Sequence, residues 1–256
     1  FNMPASAVTG FSSYTSNIGN LLNQGVEFEL SSLNIGLRNF TWSTDFNFTW
    51  QRSTVESLPN GGSDIIYGDG GMYIHREGEP MYSFYLPVWK GVNPENGLGE
   101  FWVDPENHSK GVTNYYTEAG STIVGKALPD FVGGITNTMT FLDDMFDISF
   151  LISYQFGGSL FDYPGYFTHS DGFRAASMNA ADDAADYWTP QNTDAKFPKP
   201  IMNNPYRWDR FSSRLIKSTD NIRMREVTFG FNVPNTDVIS ALRLYFRMTN
   251  PFMIWS

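Results

Sequence analysis

The chain has 256 residues with 27 acidic against 17 basic side chains, a net charge of −10, no cysteine, and 42 aromatics (22 Phe, 13 Tyr and 7 Trp). The acidic balance excludes a phosphate-tracking nucleic-acid binder, which needs clustered Lys and Arg, and the missing thiol excludes disulfides, thiolate metal sites and a cysteine nucleophile. No run approaches the ~18 apolar residues of a membrane helix, which excludes a helical membrane protein and leaves a membrane β-barrel open, because barrel strands alternate without a hydropathy peak.

In chain order, Val26, Phe28 and Leu30 alternate with Glu27 and Glu29, and Gly36-Leu37-Arg38-Asn39 reads as a turn. Phe40, Trp42, Phe46, Phe48 and Trp50 then share one face, broken only by Thr44, while Thr41, Ser43, Asp45, Asn47, Thr49 and Gln51 share the other. A period of two belongs to a strand, so the two runs predict a hairpin. A second hairpin places Ile135, Met139 and Phe141 opposite Ile148, Phe150, Ile152, Tyr154 and Phe156 around Asp143-Asp144, with Leu151 as the exception on its polar face. A third sets Val227, Phe229, Phe231 and Val233 beside Leu242, Leu244, Phe246 and Met248, with a turn around 234–237 and Arg243, Tyr245 and Arg247 on the opposite face; Arg223, Arg225, Arg243 and Arg247 share these two strands, some of them on the polar side.

The segments 56–133 and 157–220 hold most of the Gly and Pro and show little regular pattern, beyond an Ala-rich stretch from Ala175 to Tyr187 that predicts a short surface helix. Connections of that length are foreign to a compact soluble domain. Short turns on one side, long loops on the other, and apolar-out, polar-in strands near the ~9–11 residues that cross hydrocarbon describe an all-β, antiparallel transmembrane barrel segment. A soluble β-sandwich alternates in the same way. The polar faces decide for the barrel, since they carry mostly Thr, Ser, Asn and Gln, suited to a watery lumen. Six or so strands do not close so wide a barrel, and an open edge is not tolerated in lipid.

The residues then show a resemblance. Asn17-Ile18-Gly19-Asn20, Asn23-Gln24-Gly25-Val26-Glu27-Phe28-Glu29-Leu30, Gly78-Glu79-Pro80 with Ser83-Phe84-Tyr85, Gly91 to Gly97, Gly125-Lys126-Ala127-Leu128-Pro129-Asp130-Phe131 with Gly133-Gly134, Tyr187-Trp188-Thr189-Pro190, Ser212-Ser213-Arg214, and Arg223 through Pro234 follow one another in the order found in SusC/RagA-type TonB-dependent outer-membrane transporters. The resemblance spans almost the whole chain. It implies that residues 1–256 are a C-terminal part of a TonB-dependent receptor β-barrel domain, without plug domain, signal peptide or final strands. It further implies long extracellular loops and short periplasmic turns, import of an oligomeric glycan or peptide across the outer membrane of a Gram-negative bacterium, a SusD-like surface lipoprotein on the outer loops, TonB acting through the plug, and no enzymatic step. The alternative is a secreted or cell-surface carbohydrate-binding β-sandwich.

Candidate ligand contacts are the aromatics of the long segments, Trp89, Trp102, Tyr115, Tyr116, Trp188, Tyr206 and Trp208, whose flat faces suit sugar or peptide surfaces. No cofactor is expected. Asn93-Pro94-Glu95-Asn96-Gly97 and Asp104-Pro105-Glu106-Asn107-His108 offer oxygen ligands, but neither has the dense acidic alternation of a calcium loop, and both read as turns. His75, His108 and His169 are too scattered to predict a metal site, and His169-Ser170-Asp171 holds the letters of a catalytic triad without its geometry.

Overall fold

The computed structural model describes residues 2–4, 8, 10, 13–15, 19–234 and 241–256. Asn17 and Ile18 of the first motif and positions 235–237 of the third turn lie outside them. The chain divides into two compact units, one of residues 23–52, 128–158 and 218–256, the other of 1–22, 53–127 and 159–217.

The first unit is a six-stranded sheet. Its strands are β1 (Asn20–Leu37), β2 (Phe40–Ser57), β3 (Phe131–Phe141), β4 (Phe146–Phe156), β5 (Asn221–Val233) and β6 (Leu242–Trp255), and each neighbours the next in chain order. The pairs from β2 to β6 are antiparallel. β1 and β2 extend well beyond the alternating runs, and the first turn narrows to Arg38–Asn39. Among the described residues the sheet does not close on itself: β1 and β6 are its edges.

Register turns the alternation into two faces. Phe40, Phe141, Phe146 and Phe231 are aligned across four strands at the turn end, with ring centroids 5.2 Å apart for Phe40–Phe141 and 4.9 Å for Phe146–Phe231. Ten residues along β2, Trp50 aligns with Phe131 and Phe156, and Phe156 meets Trp255 at 5.9 Å. Between these rows the face is apolar and open, Phe28 and Phe246 being 50% and 61% exposed. Its polar exception is self-satisfied: Asn34 Nδ2 donates to Thr44 Oγ1 (2.7 Å), while Thr44 Oγ1 (2.7 Å) and Trp42 Nε1 (2.9 Å) donate to Asn137 Oδ1.

On the other face Thr41 and Thr140 share a hydroxyl hydrogen bond of 2.6 Å, and two of the arginines meet acids, Arg243 with Asp147 (2.7 Å) and Arg247 with Glu226 (3.4 Å). The apolar parity of β5 changes from even (Ile222, Met224) to odd (Val227, Phe229). The register shifts between those residues, so Arg225 is an extra residue, and β6 bulges beside it at Asn250, with φ of 49°. A bulge inserts one residue and lets the apolar side chains stay on one face. Arg225 Nε donates to Ser153 Oγ (3.0 Å) and its Nη1 to Asn250 Oδ1 (3.2 Å), which satisfies the guanidinium across the defect.

The second unit corrects the expectation that the long segments lack pattern. They carry a four-stranded sheet ordered Ser121–Lys126, Ser83–Pro87, Tyr73–His75, Ile65–Tyr67, and a three-stranded sheet ordered Val112–Thr113, Gly99–Trp102, Trp89–Val92. Strands of two to six residues are too short to reveal a period of two. Met72, Phe84 and Leu86 from the first segment share a core with Phe161 and Leu215 from the second. The Ala-rich stretch is a series of turns with only a 3-10 turn at Asp182–Ala185; the α-helix forms earlier, at Tyr163–Thr168, where Asp162 Oδ1 accepts from the Gly165 N–H (2.8 Å).

Candidate functional site

The loop unit gathers five of the seven candidate aromatics into two chains of rings. Trp208 is 1% exposed, and its indole N–H donates to the Asn114 carbonyl at 2.9 Å. Tyr206 lies parallel to it at 5.1 Å, and Tyr115 follows at 5.0 Å from Tyr206. The ladder runs from a buried indole to a phenol ring that is 46% exposed. In the second chain Trp89 and Tyr116 both set edges against Phe101, at 5.0 and 6.0 Å. Tyr116 donates its hydroxyl to the Phe211 carbonyl (3.1 Å), and burial pushes its phenol above the ordinary range.

Trp102 and Trp188 stand apart from these chains. Trp102 stacks on His108 at 3.9 Å with Lys90 over its ring. Trp188 lies flush on Gly97 and donates Nε1–H to the Pro94 carbonyl (2.9 Å). A side chain at Gly97, whose φ is 73°, would overlap the indole, so two separate family-like motifs meet here because one ends in glycine.

The oxygen-rich turns are internally occupied. Asn93 Oδ1 accepts from the Glu95 N–H (2.9 Å). Asp104 accepts from Lys110 Nζ (2.7 Å) and from the amides of Glu106 and Asn107, and these bonds, Lys110 foremost, hold its carboxyl below the usual range. The triad letters go to three unrelated partners: His169 to Asp183 (2.6 Å), Ser170 Oγ to the Arg174 amide (3.1 Å), and Asp171 to Arg214.

That last pair marks a site that motif reading did not find. The side chains of Asp171 and Arg214 are 2% and 11% exposed, and the carboxylate takes both Nη1 and Nη2, the second at 2.8 Å. The guanidinium lies 5.0 Å from the Trp89 ring and 5.2 Å from that of Phe197. A cavity of about 90 Å³ opens beside it, lined by Trp89, Phe197, His169, Lys196, Lys217 and Asp162 together with Arg214 and Leu215. Asp183 accepts from His169 and from Lys196 (2.8 Å), and these contacts, Lys196 first, hold its carboxyl down at about 2. Arg214 falls in a motif singled out from the sequence, but its neighbours come from positions 89, 169 and 197, a juxtaposition with no local signature.

A meander of long antiparallel strands with one apolar face, and a separate unit of short sheets, make this a mostly β-strand chain of antiparallel sheets. No family model matches the chain. The chain is homologous to SusC/RagA-type TonB-dependent receptors, a family of transporters and not of enzymes, over nearly its whole length. It is 29% identical to TonB-dependent receptor P3 of Formosa agariphila over 96% of the chain and 25% of that receptor. With TonB-dependent receptor SusC of Bacteroides thetaiotaomicron it shares 27% identity over 94% of the chain and 24% of the receptor. The chain thus spans about a quarter of the length of the curated relatives it matches. Its fold follows that of the RagAB peptide transporter with a TM-score of 0.85 at 20% identity, covering 98% of this chain and 28% of that one.

Proposed function

We propose that this chain is a wall-and-loop portion of a TonB-dependent importer in the outer membrane of a Gram-negative bacterium, and that the cargo is an oligomeric glycan or peptide. The observation that carries the reading is the pair of register-aligned aromatic rows. Ten residues at ~3.3 Å each span about 33 Å along a strand. At the roughly 40° tilt of membrane barrels this gives a band of about 25 Å between aromatic girdles, the height of the outer apolar surface of such barrels. The Thr, Ser and Arg-acid pairs of the other face suit a hydrated lumen.

A β-sandwich needs a second sheet over its apolar face, and among the described residues of the sheet's own unit Phe28 and Phe246 stay half or more exposed. That supports the barrel over the sandwich. Among the seven candidates, Tyr115 and Tyr206 are the pair we assign to ligand contact, because a stack anchored on buried Trp208 presents a ring whose position is fixed before binding. A SusD-like lipoprotein covering the loops and a TonB-driven plug complete the reading.

The experiment is fractionation of the source cells with heat-modifiability of the solubilised protein. Recovery in the outer membrane, with a gel shift on boiling, supports the proposal. Recovery as a soluble, detergent-independent protein overturns it.

A further inference from the structure

We propose that the cleft between Trp89 and Phe197 is a subsite for an anionic group of the ligand, a carboxylate or a sulfate ester. Four of its lining side chains are basic or imidazole, His169, Lys196, Arg214 and Lys217, against one carboxylate, Asp162, and that carboxylate is engaged in the cap of the Tyr163–Thr168 helix. The acids that balance the cations do not line the cleft. Asp171 is buried behind Arg214, and Asp183 binds His169 and Lys196 from outside the lining set.

These buttresses fix donors in place. Asp171 takes both terminal nitrogens of Arg214 while the rings of Trp89 and Phe197 lie within 5.0 and 5.2 Å of the guanidinium, so its orientation is largely fixed before binding. His169 stacks on Phe197 at 4.8 Å and Lys196 reaches over the same ring at 4.9 Å. Among the described residues Lys217 is the lining cation with no carboxylate partner: its ammonium donates to the Arg214 carbonyl, at 3.4 Å, and the residue is exposed. Once Asp171 and Asp183 are set against Arg214 and Lys196, Lys217 supplies the remaining attraction. The aromatic walls exclude water and strengthen it. About 90 Å³ is room enough for one oxyanion group, so the cleft suits a charged substituent of the ligand.

Calling the anion part of an imported ligand rests on the import reading; anion binding by the cleft does not. The test is calorimetric titration of the detergent-extracted protein with three matched pairs: a uronate and a neutral trisaccharide, a sulfated and an unsulfated trisaccharide, and a pentapeptide with free and with amidated C-terminus. We expect the anionic member of at least one pair to bind about tenfold more tightly, with affinity falling as salt is raised. Lys217→Gln should reduce that preference at least threefold while the heat-modifiable gel shift stays unchanged. The responding pair tells carboxylate from sulfate. No discrimination in any pair, or a preference that Lys217→Gln leaves intact, overturns the subsite, whereas failure of outer-membrane fractionation overturns the import reading alone.

Discussion

The carboxylate of Asp147 on β4 reaches the guanidinium of Arg243 on β6 across the bare Cα of Gly230 on the strand between them, closing at 2.7 Å. A Cβ at Gly230 would overlap Asp147 Oδ1. Glycine therefore permits an ion pair between strands that are not neighbours, and ties three strands on the polar face.

Gly230→Ala should displace Asp147 and separate the pair. Arg243 is half exposed, so the electrostatic part is small, and the larger cost is overpacking, about 1–3 kcal/mol. The temperature at which the folded band is lost on a gel should fall. In Gly230→Ala/Asp147→Ala much of that loss should be recovered, since the clash is gone. Equal destabilisation of the single and double variants would refute the account.

At Gly133 the obstacle is backbone. A Cβ there would meet both the Asn47 carbonyl oxygen and the hydroxyl of Tyr154, which folds over the glycine and donates to that same carbonyl at 3.0 Å. A side chain tip can turn aside, whereas a strand carbonyl in the ladder cannot. Gly133→Ala should impair assembly of the β2–β3 pair and deplete the protein from the outer membrane. Tyr154→Phe removes one hydrogen bond, about 1 kcal/mol, and should leave assembly intact. Quantitative blotting of membrane fractions distinguishes these outcomes.

The faces of this sheet were legible in the residues because strands of eleven or more positions repeat the period often enough to fix parity. Even the bulge at Arg225 was written in the sequence, as the move from Met224 to Val227, though only the register shows which residue is extra. The Arg247–Glu226 pair was equally accessible, both residues lying on one hairpin. Asp147–Arg243 was not, since it depends on what Gly230 lacks. The loop unit resisted for a different reason. Its strands are short, its core joins Phe84 to Phe161 and Leu215 over long separations, and Asp171 finds Arg214 across 43 residues. Aromatic content identified where ring chemistry lies without telling a buried brace such as Trp208 from an open platform such as Tyr115.

That contrast is measurable. Trp208→Ala removes an indole that is 1% exposed and its bond to Asn114, and should cost about 3–5 kcal/mol, read as faster proteolysis of the loops. Tyr115→Ala should leave proteolysis unchanged and weaken ligand binding, because its ring is nearly half open. If both variants become protease-sensitive, Tyr115 is structural and the platform assignment fails.

Asp183 gives the loop unit a defined response to acid. Its hydrogen bonds to Lys196 and His169 lower the carboxyl to about 2 in the folded chain, below the ordinary value of about 4. A depressed folded-state value means that the contact's contribution is complete above about pH 4 and disappears as pH falls through about 2. Amide hydrogen exchange in Asp182–Ala185 should therefore be independent of carboxyl titration above about pH 4, once the intrinsic rate is divided out, and accelerate below it. Asp183→Asn should show the faster exchange at every pH, because the amide cannot accept charge-assisted bonds from both Lys196 and His169. Acceleration that begins well above pH 4, or an Asp183→Asn profile that still steps between about 4 and 2, would mean that another group anchors this turn beside the Phe197 cleft.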